Sequence, residues 1–267
     1  MKTKANGIEM HYQISGAGNC LALIHGFADN LNIWYKQVPE FSRQYRILTY
    51  DVRGFGHTEK VNAPYAIDVF AEDLHELLIT LEIDSVCVLG CSMGGRIALE
   101  FALTYPEMTT GLILANSGVE TSPRPEMEKH RRIMRSVLQQ ADLDTLSTML
   151  TRGSFSPGFS SRDPETFQSC KAIRMQNDPS EYLTIMEAVD QALDAPVDLS
   201  RIELPVLLIA GEHDALMGGS VAESMKNGIA DAELKVLPTG HASALEAPEE
   251  FNRTVLRFMA GLPTQGN

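Results

Sequence analysis

Residues 86–103 read VCVLGCSMGGRIALEFAL: a short apolar run stops at Gly-Cys-Ser-Met-Gly-Gly and resumes in a helical pattern. The first half reads as a strand buried on both faces, the second as an amphipathic helix. Gly90 and Gly94 stand two residues before and two residues after Ser92. A sharp strand-to-helix turn strains the backbone of its apex residue and crowds the positions two away on either side, which must then be small. That geometry selects Ser92. With Cys91 at the apex, Leu89 and Met93 would fill the crowded positions, so Cys91 is expected to pack beside the elbow. The competing reading is a glycine-rich turn that binds a phosphate at a helix N-terminus. Neither G-x-x-x-x-G-K-S/T nor G-x-G-x-x-G occurs there.

A serine hydroxyl is a weak nucleophile until a base takes its proton, so a histidine oriented by a carboxylate should follow in the chain. Of the seven histidines, His241 lies in KVLPTGHASALEAPEEF, in a loop just past the last strand-like run. His25 and His57 precede the serine, His11 falls in the first β-run, His75 in an early helix and His130 in the polar middle segment. His213 is the one competitor. Asp214 beside it suits the carboxylate role, because it follows the apolar run PVLLIAG and so sits at a strand's carboxyl end, where sheets of this class keep their sites. Glu212 is the fallback. LIHGFADN ends another strand at His25-Gly26-Phe27, which offers the Phe27 backbone N–H, together with that of Met93, as donors to an oxyanion. His25 is read as a brace for this loop. YDVRGFGHT reads as a tight turn after a strand, with Arg53 as a local brace and no chemistry of its own.

Outward from the elbow, strand-like runs alternate with helical ones: IEMHYQI, CLALIHG, YRILTYDV, SVCVLG, GLILANS, PVLLIAG and ELKVLP. The alternation predicts an α/β fold with a mostly parallel central sheet and helices on both faces. Within 67–83, Phe70, Leu74, Leu77, Leu78 and Leu81 make one apolar helical stripe, and Phe251, Val255, Phe258 and Met259 make another after Pro248. The pattern breaks between residues 118 and 200, a polar, proline-punctuated and helical stretch. It predicts an inserted helical lid over one end of a core made of residues 1–117 and 201–267.

The 267 residues carry a formal net charge of −13. No basic stripe is available to neutralise phosphates, which argues against nucleic acid and anionic membrane surfaces and for a small-molecule partner. The amino-terminal stretch lacks the apolar region of a signal peptide and no run is long enough to span a membrane, so a cytoplasmic location is expected. The four cysteines, Cys20, Cys87, Cys91 and Cys170, have no metal-ligand spacing and are expected as reduced thiols; no metal is expected.

Taken in order, HGF, YDVRGFG, GCSMGG, GEHD and GHASALEAPEEF resemble the α/β-hydrolase superfamily across nearly the whole chain. With SFSPGF in the middle segment, the chain is most similar to the 3-oxoadipate enol-lactonase and esterase group. The resemblance implies hydrolysis of an ester or lactone without a cofactor. Lactonases of this group act on a substrate with a carboxylate, which makes Arg131, Arg132 and Arg135 candidate anchors; the alternative is that KHRRIMRS is the wet face of a helix. Phe27, Trp34, Phe155 and Phe159 are candidates for the pocket lining. Carbon-carbon hydrolases of meta-cleavage products share SMGG but usually carry tryptophan after the histidine and asparagine before the serine, where this chain has Ala242 and Cys91. Relatives with an aspartate nucleophile are excluded by Ser92. Hydrolase-fold receptors with slow turnover stay open, because they need the same pocket.

Overall fold

A computed structural model describes residues 1–60, 65–119, 125–140 and 142–262, with the backbone alone described for 125–131 and 194. Eight strands form one sheet: β1 (Lys2–Ala5), β2 (Ile8–Ser15), β3 (Cys20–Ile24), β4 (Arg46–Tyr50), β5 (Val86–Cys91), β6 (Thr109–Ala115), β7 (Val206–Gly211) and β8 (Ala232–Leu237). Their order is β1-β2-β4-β3-β5-β6-β7-β8. β1 pairs antiparallel with β2, and β2 with β4; every other pairing is parallel. The expected mostly parallel sheet is therefore present. One strand was not expected: KTKA forms β1 through a hairpin whose Asn6-Gly7 turn has both residues at positive φ, 47° and 76°, the conformation that suits the twist of a two-residue hairpin.

Alternation along the strands sends side chains to two cores. Ala22, Ile24, Val86 and Val88 face one, whereas Leu21, Leu23, Cys87 and Leu89 face the other. The first is covered by α1 (Ile67–Thr80) and α2 (Met93–Thr104), which bury Phe70, Leu74, Leu77, Leu78, Ile97 and Phe101. α1 stops at Thr80, before the end of the expected stripe, because Glu82 turns left-handed (φ 54°) and the Ile83 N–H closes on the Leu78 carbonyl.

Between β6 and β7 the chain carries α3 (Pro125–Gln140), α4 (Leu143–Ser154), α5 (Pro164–Arg174) and α6 (Tyr182–Asp194) and, among the described residues, no strand. α4 and α5 begin on side-chain caps, Asp142 accepting from the Thr145 N–H and Asp163 from the Thr166 N–H. After β7 come α7 (Gly219–Gly228) and α8 (Pro248–Gly261); α8 buries Phe251, Val255 and Met259 in the second core. Among the described residues no helix is long and apolar enough to cross a membrane.

The chain leaves β3 towards β4 on one side and returns with β5 on the other. Such a reversal opens a crevice at the carboxyl ends of the two strands. Here those ends lead into His25-Gly26-Phe27 and into Ser92.

Candidate active site

Ser92 has φ 55° and ψ −119°, a conformation an L-residue holds only under constraint, at a cost of about 1–3 kcal/mol. The constraint is visible around it. The Ser92 N–H donates to the Ala115 carbonyl (3.0 Å), and its own carbonyl accepts from the Ser117 hydroxyl (2.7 Å) and the Gly95 N–H (2.9 Å). A Cβ on Gly90 would run into the Gly94 carbonyl, and one on Gly94 into the carbonyls of Ile24 and His25. The two flanking glycines thus let helix α2 close against β5 and β3.

The Ser92 Oγ lies 2.8 Å from His241 Nε2, and His241 Nδ1 lies 2.8 Å from Asp214 Oδ2. His241 sits in the loop after β8 and Asp214 just past β7, so three strand ends supply the three side chains. Asp214 also accepts from Asn116 Nδ2 (3.0 Å) and from the backbone N–H groups of Leu216 and Met217 (2.9 Å each). Burial opposes ionisation of this carboxyl, but the imidazole beside it and the N–H donors of Met217 and Asn116 outweigh burial and hold its pKa down at about 2. An ionised Asp214 fixes the proton on His241 Nδ1 and leaves Nε2 to accept from Ser92. Glu212 and His213 are both exposed, whereas Asp214 is buried. Cys91 is half-buried beside the elbow, and burial, reinforced by Asp29 and Asp214, pushes its thiol well up, away from the reactive thiolate.

The loop after β3 is braced from within. His25 is fully buried; its Nδ1 donates to the Gly26 carbonyl (2.8 Å) and its Nε2 accepts from the Val52 N–H (2.9 Å). That pairing needs the neutral ring, in keeping with the downward pKa shift that burial imposes. The Phe27 and Met93 backbone N–H groups donate no hydrogen bond among the described residues. Arg53 makes a buried ion pair with Asp73 on α1 (2.5 Å), and Asp51 ties its turn together through the His57 N–H and Leu31 N–H (2.8 Å each).

A cavity of ≈ 390 Å³ opens above Ser92 and His241, between the carboxyl end of the sheet and α3–α6. Phe27 and Trp34 line it. Phe155 and Phe159 do not, a correction to the sequence reading: their rings stack on each other 4.2 Å apart and pack with Phe167 in the second core. The aromatic spacing in SFSPGF identifies a buried cluster without revealing which wall it supports. Arg135 does not line the cavity either; it is an exposed residue paired with Asp190 (2.8 Å), and Arg132 is exposed. The side chain of Arg131 lies outside the described residues.

Two features escaped the sequence. Arg174, on α5, is buried in the cavity wall with its Nε donating to Asp29 Oδ1 (2.8 Å) and its other nitrogens to Thr151 Oγ1 (3.2 Å) and Ser154 Oγ (3.1 Å). Glu246 accepts from the Gly240 N–H (2.8 Å), next to His241, and from the Ser156 N–H (3.0 Å), and pairs with the Ser156 hydroxyl and Arg162. It links the histidine loop to the segment after α4.

Residues 19–248 match the family model for the alpha/beta hydrolase fold. The chain belongs to this family. It is 30% identical over 257 residues to 3-oxoadipate enol-lactonase 2 of Acinetobacter baylyi, covering 96% of this chain and 94% of that one. Among solved structures it is similar to a hydrolase from Pseudomonas aeruginosa (30% identity, TM-score 0.87, 98% of each chain). It is also similar to the enol-lactonase of Burkholderia xenovorans (26% identity, TM-score 0.88, 97% of this chain and all of that one). With such relatives the chain is a hydrolase of the α/β fold.

Proposed function

We propose that the protein is a serine hydrolase that cleaves a carboxylic ester or lactone of a small molecule through an acyl-enzyme. The observation that carries this reading is the unbroken chain Ser92–His241–Asp214, two contacts of 2.8 Å, at the apex of a strained elbow that faces a cavity. The similarity to enol-lactonases supports an ester or lactone as the bond cleaved.

In this mechanism His241 Nε2 takes the Ser92 proton as Oγ attacks the acyl carbonyl, and Asp214 stabilises the imidazolium that forms. The N–H groups of Phe27 and Met93 receive the oxyanion; each such donor is typically worth about a hundredfold or more in rate. His241 then gives its proton to the leaving alcohol, activates a water, and the acyl-enzyme is hydrolysed. Helices α3–α6, within residues 118–200, act as a cap on the core of residues 1–117 and 201–267 and supply the walls that select the substrate.

The test is hydrolysis at neutral pH of p-nitrophenyl esters of short and medium chain, several lactones and one vinylogous diketone acid, by wild type and Ser92→Ala. Ser92-dependent turnover of esters or lactones, with kcat lowered by roughly 10⁴-fold or more in the variant, is the expected result. Turnover of the diketone alone would mark a carbon-carbon hydrolase. Slow turnover of everything, from a protein whose serine still reacts with a fluorophosphonate, would favour a receptor.

A further inference from the structure

The cavity wall is mostly apolar and includes five methionines, Met93, Met134, Met149, Met186 and Met217, flexible side chains that adapt to an apolar tail. Its charges are few and already matched. Among the described residues its cations are Arg96 and Arg174 and its carboxylates Asp29 and Asp190. Arg174 is bound by Asp29 at 2.8 Å and Arg96 by Glu100 at 3.0 Å, while Asp190 faces Arg135 at 2.8 Å. Arg174 has, besides, committed its terminal nitrogens to Thr151 and Ser154.

We infer that this site takes an uncharged ester or lactone with an apolar tail and discriminates against one bearing a second carboxylate, with the Asp29–Arg174 pair as the element that sets the preference. The inference rests on the serine-hydrolase reading above and deepens it. An incoming carboxylate would lose its hydration in a mostly apolar cavity and find, among the described residues, no cation without a carboxylate already attached. It would also meet Asp29 close to the reaction centre: Asp29 Oδ2 and Ser92 Cβ both lie 3.4 Å from the point where a Cβ on Gly26 would stand. Specificity of this kind comes from repulsion as well as attraction. In this respect the cavity departs from what the resemblance to enol-lactonases implies.

Three p-nitrophenyl esters of one chain length decide the matter: the hexanoate, the half-ester of adipic acid, and the corresponding adipic acid monoamide, which is polar but uncharged. Wild type is expected to show kcat/KM about a hundredfold or more lower for the half-ester than for the hexanoate, with the monoamide much closer to the hexanoate. In Asp29→Asn, where Arg174 loses its counter-ion, the gap between half-ester and hexanoate should narrow about tenfold. Folding of that variant is checked by its melting curve and by fluorophosphonate labelling; the monoamide comparison needs only wild type. Ser92-dependent hydrolysis of hexanoate and half-ester within a few-fold of each other would overturn the inference and leave the serine-hydrolase reading standing. A monoamide rejected as strongly as the half-ester would overturn charge as the cause, and an unchanged gap in a folded Asp29→Asn would remove the pair from its role. Absence of Ser92-dependent hydrolysis of all three esters would overturn the reading beneath it.

Discussion

The floor and the roof of the cavity are built on different principles. The floor is the carboxyl end of the sheet, where Ser92, Asp214 and His241 are held by strand ends, glycine contacts and backbone hydrogen bonds. The roof is α3–α6 with their connections, held by side chains: Arg174 donates to Thr151 and Ser154 within the roof and to Asp29 in the loop after β3, and Asn177, just past α5, donates to the Ala28 and Asp29 carbonyls of that loop. A backbone-held site tolerates little change at its glycines. A side-chain-held roof can vary in sequence while the chemistry below it persists, which suits a fold that serves many substrates.

The contrast can be broken first at the floor. His241→Ala should keep the fold and lower kcat by about 10⁴-fold or more; activity within tenfold of wild type in a steady-state assay would remove it as the base. Gly94→Ala should act through the backbone instead, because its Cβ meets the Ile24 and His25 carbonyls. A loss of about 2–4 kcal/mol in a denaturant titration is expected, with activity falling in whatever folds.

At the roof and its supports the effects should separate. Phe155→Ala empties a stacked, buried ring and should cost about 3–5 kcal/mol of stability while leaving the chain-length profile of ester hydrolysis unchanged. Leu150→Ala, which enlarges the cavity wall, should shift that profile towards longer acyl groups at a smaller cost in stability. If Phe155→Ala moved the profile instead, the division between core and pocket would be wrong.

Acid should expose the Asp214 anchor. Its pKa lies below the ordinary carboxylate value, so it contributes stability above an unfolded pKa near 3.8 that is lost as pH falls through about 2. The shift corresponds to roughly 2 kcal/mol. The acid unfolding curve of Asp214→Asn, compared with wild type between pH 4 and pH 2, should be flatter by that amount; identical curves would deny Asp214 its linkage. The smallest effect is expected from Cys91→Ser, which should stay within a few-fold of wild-type activity.

The floor was legible in the sequence because its requirements are local. Two glycines around Ser92, an apolar run before Asp214 and a loop after the last strand for His241 each leave a mark a few residues long. KTKA was missed as a strand because a short, charged edge strand has no apolar run, although Asn6-Gly7 carried the hairpin signal. The roof was harder for a physical reason. Arg174 and Asp29 are 145 residues apart, and nothing in either neighbourhood announces the other. Arginines 131, 132 and 135 stand out by clustering, yet among the described residues the buried cations of the cavity wall are Arg96 on α2 and Arg174 at the end of α5, each isolated in the sequence. Glu246 stood within the stretch that carried the family resemblance, but its role depends on Ser156 and Gly240 meeting it from two other segments.

The most direct test of Ser92 as the nucleophile is mass spectrometry of the protein quenched during turnover of a p-nitrophenyl ester, with the modified residue located by fragmentation. The account predicts one acyl group per chain, on Ser92, absent from Ser92→Ala and present in Cys91→Ser. An acyl group on Cys91, or undiminished turnover by Ser92→Ala, would contradict it.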